Sequence, residues 1–260
     1  MSDALAAEWI KLRTVRSTPV ILAVVLALCG AALLLVVYFV VTYDSLPPEG
    51  RARSALSPMG PLVEMVASLA MAVLGMLAIT SEHATGMIRA TYAAIPDRRR
   101  VLAAKAAVVG AVALVTGQVT VLGTAALEKL IVAGRPIRGQ SAQSIAEQLP
   151  HILAMGLMVA VFALFGLGLG AILRSTPGAL STLAGLWYVL PIVVNNLPEP
   201  WHEWVGSVLP GALAGQLAGT GNPNSVYGSS LPPAAALAVM AAYAVVPLAV
   251  AVHLDRRRDT

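Results

Sequence analysis

Six long apolar segments constrain this 260-residue chain more than any other feature. A helix needs about 20 consecutive apolar residues to cross a hydrocarbon core of about 30 Å. The segments cover residues 19–41, 62–80, 101–127, 149–173, 179–197 and 233–254. Their apolar residues are continuous rather than alternating, which favours helices over the strands of a barrel. We therefore predict an all-α, polytopic integral membrane protein, with six transmembrane helices in a single transmembrane domain over residues 1–260.

The composition excludes a soluble enzyme. Hydrophobic residues make up 58% of the chain and charged residues only 12%, about half the charge of an ordinary soluble domain. The net charge of +4 is typical of a membrane protein whose Lys and Arg residues lie on one side of the bilayer, and it does not indicate nucleic-acid binding. Because Cys29 is the one cysteine, no intrachain disulfide can form.

The distribution of basic residues predicts the orientation of the spans. With the N-terminus inside, most of the 17 Lys and Arg residues fall on the cytoplasmic side. The loop over residues 198–232 contains Glu199 and Glu203 but neither Lys nor Arg, as expected of an outer loop. We expect a multi-pass membrane protein with both termini in the cytoplasm.

Residues 1–18 have a helical pattern of their own. Leu5, Trp9 and Leu12 recur at helical spacing, which predicts an amphipathic helix lying in the membrane interface, with Lys11 and Arg13 reaching lipid phosphates. The alternative is a frayed basic tail that serves only as a topology signal. A cleaved signal peptide is disfavoured, because the apolar stretch that follows is longer than a signal core and contains no cleavage site.

The segment between spans two and three, residues 81–100, is too polar to cross the membrane. Met87, Ile88, Tyr92 and Ile95 nevertheless recur at steps of three and four, which predicts a short amphipathic helix ended by Pro96. Such a helix needs a surface to pack on, which could be the membrane, another part of the chain or a partner protein.

Several short motifs occur in a characteristic order along the chain. The segment after span two contains Glu82, Gly86, Pro96, the arginines from Arg98 and then Lys105. The chain also has the opening residues 8–17 (EWIKLRTVRS), residues 166–175 (GLGLGAILRS) and the ending Arg256, Arg257, Arg258 and Asp259. With these features the chain resembles the permease subunits of type 2 ATP-binding-cassette (ABC) exporters, and in particular the actinobacterial-like members.

The resemblance implies partners and site residues. In such families the ATPase is a separate cytoplasmic polypeptide that binds ATP and magnesium, so no cofactor is expected in this chain, and two permease subunits pair, here as a homodimer. The segment 81–100 would be the cytoplasmic coupling segment, and its interface with the ATPase would contain Glu82, Gly86, Met87, Ile88 and Arg89. His83 and Ala84 depart from the family pattern, since many members carry further charge there.

The resemblance also implies that spans two and five line the substrate path. The candidates there are Met71, Met76, Trp187, Asn195 and Asn196. Methionines suit variable apolar ligands but equally fill gaps in a core, and the two asparagines could instead form interhelical hydrogen bonds. Gly166 and Gly170 predict close helix packing, because their Gly-x-Gly-x-Gly run lies inside an apolar helix with no preceding strand.

The sequence shows no recognisable catalytic, metal-binding or nucleotide-binding motif. The four histidines are scattered, without the i, i+4 pair of a helical zinc site, and no phosphate-binding Gly-x4-Gly-Lys-Ser/Thr motif occurs. Lys105 and Glu64 are near the ends of spans, where we expect them to reach the interface.

We predict the permease subunit of an exporter that moves a hydrophobic or amphipathic substrate outward by alternating access, driven by a separate ATPase. The alternative is a non-transporting membrane sensor, assembly factor or immunity protein.

Overall fold

The computed structural model describes residues 2–95, 97–141, 143–221 and 227–257, except the side chains of Ser2, Arg256 and Arg257. Within these ranges the chain is 82% helical and contains no strand. The helices are α1 (Ser2–Thr14), α2 (Ser17–Ser45), α3 (Pro48–Arg53), α4 (Gly60–Ala84), α5 (Met87–Ala94), α6 (Arg98–Val132), α7 (Ile145–Leu173), α8 (Thr176–Ala184), α9 (Leu190–Asn195), α10 (Trp201–Ser207), α11 (Pro210–Leu217) and α12 (Pro233–Arg257). Pro96, Arg258 and Asp259, used in the sequence comparison above, lie outside the described residues.

Within the described ranges, six helical segments are long and apolar enough to span a membrane, which confirms the all-α fold with six spans. They are α2, α4, α6, α7, the run Thr176–Asn195, and α12 up to Asp255. In the run Thr176–Asn195, the π-helical turn Gly185–Val189 joins α8 to α9. Each segment overlaps one predicted span, and the separate helix α1 occupies most of residues 1–18.

Polar caps extend two spans beyond their apolar runs. Asp97 accepts hydrogen bonds from the backbone N–H groups of Arg99 and Arg100, so α6 begins at Arg98. Ser144 and Glu147 cap one another reciprocally, so α7 begins at Ile145 rather than near residue 149. Hydrophobicity alone does not reveal these polar first turns.

Helix α7 forms the centre of the bundle. In the most apolar 18-residue stretch of α7, 78% of the residues are buried inside the chain. The corresponding share is 17% in α2 and 22% in α12. Its main neighbours are α4, α6 and α12. The peripheral position of α2 and α12 leaves apolar faces for lipid or for another chain.

Small residues bring α4 and α7 into backbone contact. A Cβ atom at Gly166 would overlap the carbonyl oxygen of Ala72, and one at Gly75 would overlap the carbonyl oxygen of Ala163. At Gly170 a Cβ would lie 3.0 Å from the Met76 carbonyl oxygen. Gly166 and Gly170 thus lie where the two helix backbones are closest, as small residues do in packed membrane helices.

The spans divide the molecule into two ends. One end, called the α5 end, contains α1, α5 and the last turn of α4. At this end Arg174 forms an ion pair with Asp255 at 2.7 Å, which joins the ends of α7 and α12. At the opposite end lie α3, α10 and α11.

The segment over residues 198–232 contains ordered structure at this opposite end. Gln216, on α11, donates from Nε2 to the Ser207 carbonyl oxygen at 2.8 Å and accepts from the Leu231 N–H at 2.8 Å. Ser230 donates from its N–H to the Ser207 hydroxyl oxygen at 2.9 Å. These buried hydrogen bonds hold the α10–α11 hairpin against the start of α12.

Candidate functional site

A left-handed turn starts the short helix α5. Gly86 has φ +73°, a backbone conformation that side chains with a Cβ rarely adopt, and it lies between the end of α4 and Met87. Ile95 is extended, as expected for a residue that precedes a proline in the sequence. The chain therefore leaves span two, forms two turns of helix and enters span three at Arg98.

Helix α5 has one face toward the protein and one away from it. Ile88, Thr91 and Tyr92 are half-buried, whereas Arg89 is exposed and Met87 is 44% exposed. The remaining exposed positions are the small residues Ala90, Ala93 and Ala94. The outer face is thus flat and available for a contact.

Two contacts fix the inner face of α5. The Lys11 ammonium donates to the Thr91 hydroxyl oxygen at 3.2 Å. The Arg98 guanidinium lies 4.7 Å from the centre of the Tyr92 ring, within the range of a cation–π interaction. Burial, and then the negative charge of Asp255, raise the pKa of the Tyr92 hydroxyl above its usual value. Helix α5 is therefore attached to both α1 and α6.

Four charged side chains form a cluster beneath α5, which we call the charge cluster: Glu8 and Lys11 on α1, Glu82 on α4 and Lys105 on α6. Lys11 lies 2.7 Å from Glu8 and 3.0 Å from Glu82. Lys105 lies 2.5 Å from Glu8 and 2.9 Å from Glu82. Each ammonium therefore bridges both carboxylates, and the cluster connects three helices.

Three of the four members of the charge cluster are buried, Lys11 is 27% exposed, and the formal charges of the four balance. Glu82 and Lys105 are each 3% exposed, and Glu8 is 6% exposed. Burying a charge is costly unless it is paired and hydrogen-bonded, and two carboxylates with two ammonium groups satisfy that condition. Burial lowers the pKa of Lys11, but the hydrogen bonds to Glu8 and Glu82 outweigh it, so the pKa of Lys11 is raised above its usual value.

The expectation that Lys105 reaches the membrane interface is wrong. Since α6 begins at Arg98, Lys105 lies two turns into the helix and points into the protein, where Glu8 and Glu82 neutralise it. The Lys105 ammonium thus contacts carboxylates on α1 and α4 instead of lipid phosphates.

Residues predicted for the coupling interface divide between the two sides of α5. Gly86, Met87 and Arg89 are exposed, and Ile88 is half-buried on the inner face. The Glu82 side chain points inward to the charge cluster, away from any partner that contacts α5 from outside.

The residues predicted for the substrate path are not gathered at one place within one chain. Met71 and Met76 are fully buried; Met76 belongs to the same apolar cluster as Trp187, and Met71 belongs to another cluster. Trp187 packs edge-on against Phe162, with 4.4 Å between ring centres. Asn195 and Asn196 are exposed at the opposite end, and the Asn196 amide bonds back to its own helix. None of the five lines the cavity at the α5 end, of about 200 Å³, or the cavity at the opposite end, of about 660 Å³.

The sequence reasoning missed the role of Glu8 and Lys11. Ala4, Glu8 and Leu12 form the buried stripe of α1, while Trp9, assigned to the apolar side, is 45% exposed. Glu8 could have been recognised from the sequence, because it lies at the centre of an otherwise apolar stripe. A carboxylate buried in such a position requires a cation on the surface that the helix packs against.

The other polar groups of the described residues are weaker candidates for a functional site than the charge cluster and α5. No group of three or more metal-binding side chains is found in the described ranges. A cavity of about 660 Å³ lies at the opposite end, but its polar residues are engaged within the chain. Glu128 accepts from the Met59 N–H and from Gln140, and the Thr220 hydroxyl lies 3.1 Å from His151.

Six spans, with a short exposed helix held on charged side chains at one end, define a multi-pass membrane protein. The sequence model of the ABC-2 family transporter proteins matches residues 4–192, so the chain belongs to that family. The chain is therefore the membrane permease component of an ABC transporter, a class that works with an ATPase subunit. The matched residues include α5 and the whole charge cluster. No curated protein matches the chain.

Proposed function

We propose that the chain is the permease subunit of an ATP-driven exporter, with its α5 end in the cytoplasm of a bacterium, and that a separate ATPase docks on the outer face of α5. One observation carries this proposal. Lys11 binds Thr91 on α5 and, with the same ammonium, Glu8 and Glu82 in the charge cluster. A force applied to α5 therefore reaches α1 and α4 through one half-buried side chain, that of Lys11.

The charge cluster is suited to transmitting that force. Breaking one of its pairs leaves an uncompensated buried charge, which costs about 3–5 kcal/mol, so α1, α4 and α6 move together at this end. Nucleotide binding in the ATPase would displace α5 and carry the ends of α4 and α6 with it. This movement would switch the spans between inward-facing and outward-facing states.

The substrate path would form between two copies of the chain. The five path candidates are spread over separate parts of one copy, and the fifth span exposes Tyr188, Ile192 and Val193 on its outer face. A homodimer that packs on this face and on α2 would bring together two sets of apolar walls. Such a path suits a hydrophobic or amphipathic substrate. ATP and magnesium would bind to the separate ATPase.

Purification from the native membrane tests the proposal. The tagged protein is solubilised in mild detergent, and co-purifying chains are quantified by mass spectrometry. We expect a stoichiometric amount of an ATPase to co-purify with the tagged protein. In Arg89→Glu the amount recovered should fall at least tenfold, because this side chain is exposed at the centre of the proposed docking face.

Arg53→Glu is the matched control, since Arg53 is an exposed arginine on α3 at the opposite end. It should retain the ATPase. Recovery of the chain alone in several gentle detergents would contradict the proposal and favour a non-transporting membrane protein.

A further inference from the structure

One carboxylate in span two has no cation beside it. Glu64 lies about one turn after the start of α4 and is half-buried. Among the described residues its one hydrogen-bond donor is the Ser68 hydroxyl of the same helix, at 3.0 Å. The other described carboxylates on the spanning helices accept from guanidinium, ammonium, amide or backbone N–H groups: Asp44, Glu82, Glu128, Glu147 and Asp255. Because an ionisable side chain within a span is costly and is most often functional, Glu64 is a candidate binding residue.

The second oxygen of the Glu64 carboxylate is open to a ligand. Ser68 donates to Oε1, whereas Oε2 has no donor in the described part of the chain. Two side-chain atoms there are both enclosed and without a partner, Glu82 Oε2 and Gln118 Oε1, and Glu64 Oε2 is not one of them. Since Glu64 Oε2 is unbonded but not enclosed, it retains accessible surface.

Apolar side chains and a tyrosine lie near this carboxylate. Met65 and Leu69, on the same helix, are partly buried and pack against a buried apolar cluster. Tyr227 precedes α12, and its ring packs on Gly211 of α11. Burial, and then the negative charge of Glu64, raise the pKa of the Tyr227 hydroxyl above its usual value. The charge of Glu64 therefore acts at the opposite end of the bundle from α5, beside the α10–α11 hairpin.

The unpaired charge selects the kind of ligand. A calcium or magnesium ion needs several oxygen ligands, and no group of three metal-binding side chains is found in the ranges that the structure describes. A neutral hydroxyl would leave the carboxylate without a counter-charge. An ammonium group donates hydrogen bonds and also neutralises the carboxylate, which makes its hydrogen bond the stronger kind. Beside Met65 and Leu69, the rest of the ligand would be apolar.

We propose that Glu64 binds the ammonium group of an amphipathic amine, with Oε2 accepting the hydrogen bond and the apolar part of the amine packing beside Met65 and Leu69. The assignment of this amine as the exported substrate rests on the function proposed above. On that basis the substrate class narrows from hydrophobic or amphipathic compounds to cationic amphiphiles.

Methyl spectroscopy of the full chain, without any ATPase, tests the site. The protein carries ¹³C-methyl methionine in nanodiscs of phosphatidylcholine. It is titrated at neutral pH with octylamine or octanol, which share an apolar chain and differ in charge. Met65, assigned from Met65→Leu, adjoins Glu64 on α4, and Met87 at the α5 end is the internal reference.

We expect octylamine to shift the Met65 methyl resonance saturably and that of Met87 hardly at all. Octylamine should bind at least tenfold more tightly than octanol, as a hydrogen bond between two charged groups predicts. Glu64→Gln, which removes the charge and keeps the shape, should abolish this preference, whereas Glu64→Asp should retain it. Glu49→Gln, at an exposed position on α3 at the same end, should leave the preference unchanged.

Three outcomes would overturn the proposal. A Met65 shift that does not saturate would mean that the amine only partitions into the bilayer. Equal affinity for octylamine and octanol would mean that the Glu64 charge does not select the ligand. A preference for the amine that survives Glu64→Gln, or that is lost equally in Glu49→Gln, would assign it to other groups.

Recovery of the ATPase separates this proposal from the one on which it rests. Glu64→Gln should still co-purify with the ATPase, because Glu64 and α5 lie at opposite ends of α4. Amine binding by a chain that recovers no ATPase would contradict the exporter and leave the amine site standing. Absence of the amine preference in a chain that does recover the ATPase would overturn the amine site alone.

Discussion

Glu82 on α4 and Lys105 on α6 form an ion pair of 2.9 Å that closes the base of the loop containing α5. The pair joins the helix that enters α5 to the helix that leaves it, 23 residues later. Both ends of the loop are therefore fixed to one another inside the protein, while the outer face of α5 remains exposed. Of the chain's features, this arrangement most directly suits docking of a partner.

Removing one member of this pair should destabilise the protein strongly. Lys105→Met leaves Glu8 and Glu82 short of a cation, so we expect a loss of about 3–5 kcal/mol and a clear fall in the thermal midpoint in detergent. The double variant Lys105→Met/Glu82→Gln should recover much of the loss, because Glu8 and Lys11 remain as a neutral pair. Strictly additive losses would contradict the coupling of these charges.

Gly86→Ala should strain the turn before α5. At φ +73° an alanine costs about 1–2 kcal/mol, although its Cβ would meet no atom within 4 Å. We expect faster amide exchange confined to α5, with weaker retention of the ATPase. Gly30→Ala is the control, because Gly30 also has open space around it but lies within the helix α2. Similar exchange in both variants would show that backbone strain at Gly86 is unimportant.

Gly166→Ala should separate α4 from α7. The added methyl group would overlap the Ala72 carbonyl oxygen, and such overpacking typically costs about 1–3 kcal/mol. The matched change Gly123→Ala, on α6, meets no atom within 4 Å and should be neutral or stabilising, since alanine favours helix. Thermal unfolding of the two variants side by side checks the prediction, and equal midpoints would count against it.

Stability should fall at high pH through Lys11. Its pKa is raised in the folded protein, so its contribution is complete below the unfolded value of 10.5 and is lost as the pH rises through the folded value. We expect the thermal midpoint to decline above about pH 10.5, and Lys11→Arg, which stays charged there, to flatten the decline. An unchanged profile in Lys11→Arg would assign the loss to other groups.

Gln216→Leu should loosen the α10–α11 hairpin. The change removes the acceptor of the Leu231 N–H and the donor to the Ser207 carbonyl oxygen, and each unsatisfied buried group costs about 1–3 kcal/mol. We expect faster proteolysis at the opposite end of the bundle with little effect at α5. Gln143→Leu, at an exposed position before α7, serves as the control, and equal cleavage rates would disprove the role of Gln216.

Some features of the site could be predicted because their causes are local. The steps of three and four from Met87 to Ile95 indicated a helix there, and the structure has one over Met87–Ala94. The order of short motifs indicated the family, which the match over residues 4–192 confirms. The residues that support α5 from below were not predicted, and neither was the burial of Lys105.

The sequence by itself determined the six spans, because about 20 consecutive apolar residues have no other stable arrangement in a bilayer than a helix. Only the tertiary structure decided the charge cluster, because its partners lie far apart in the chain. Glu8 and Lys105 are separated by 97 residues, and Lys11 and Glu82 by 71. Whether a lysine near the end of a span meets lipid phosphates or two carboxylates depends on which helices pack beside it, and for Lys105 these are α1 and α4.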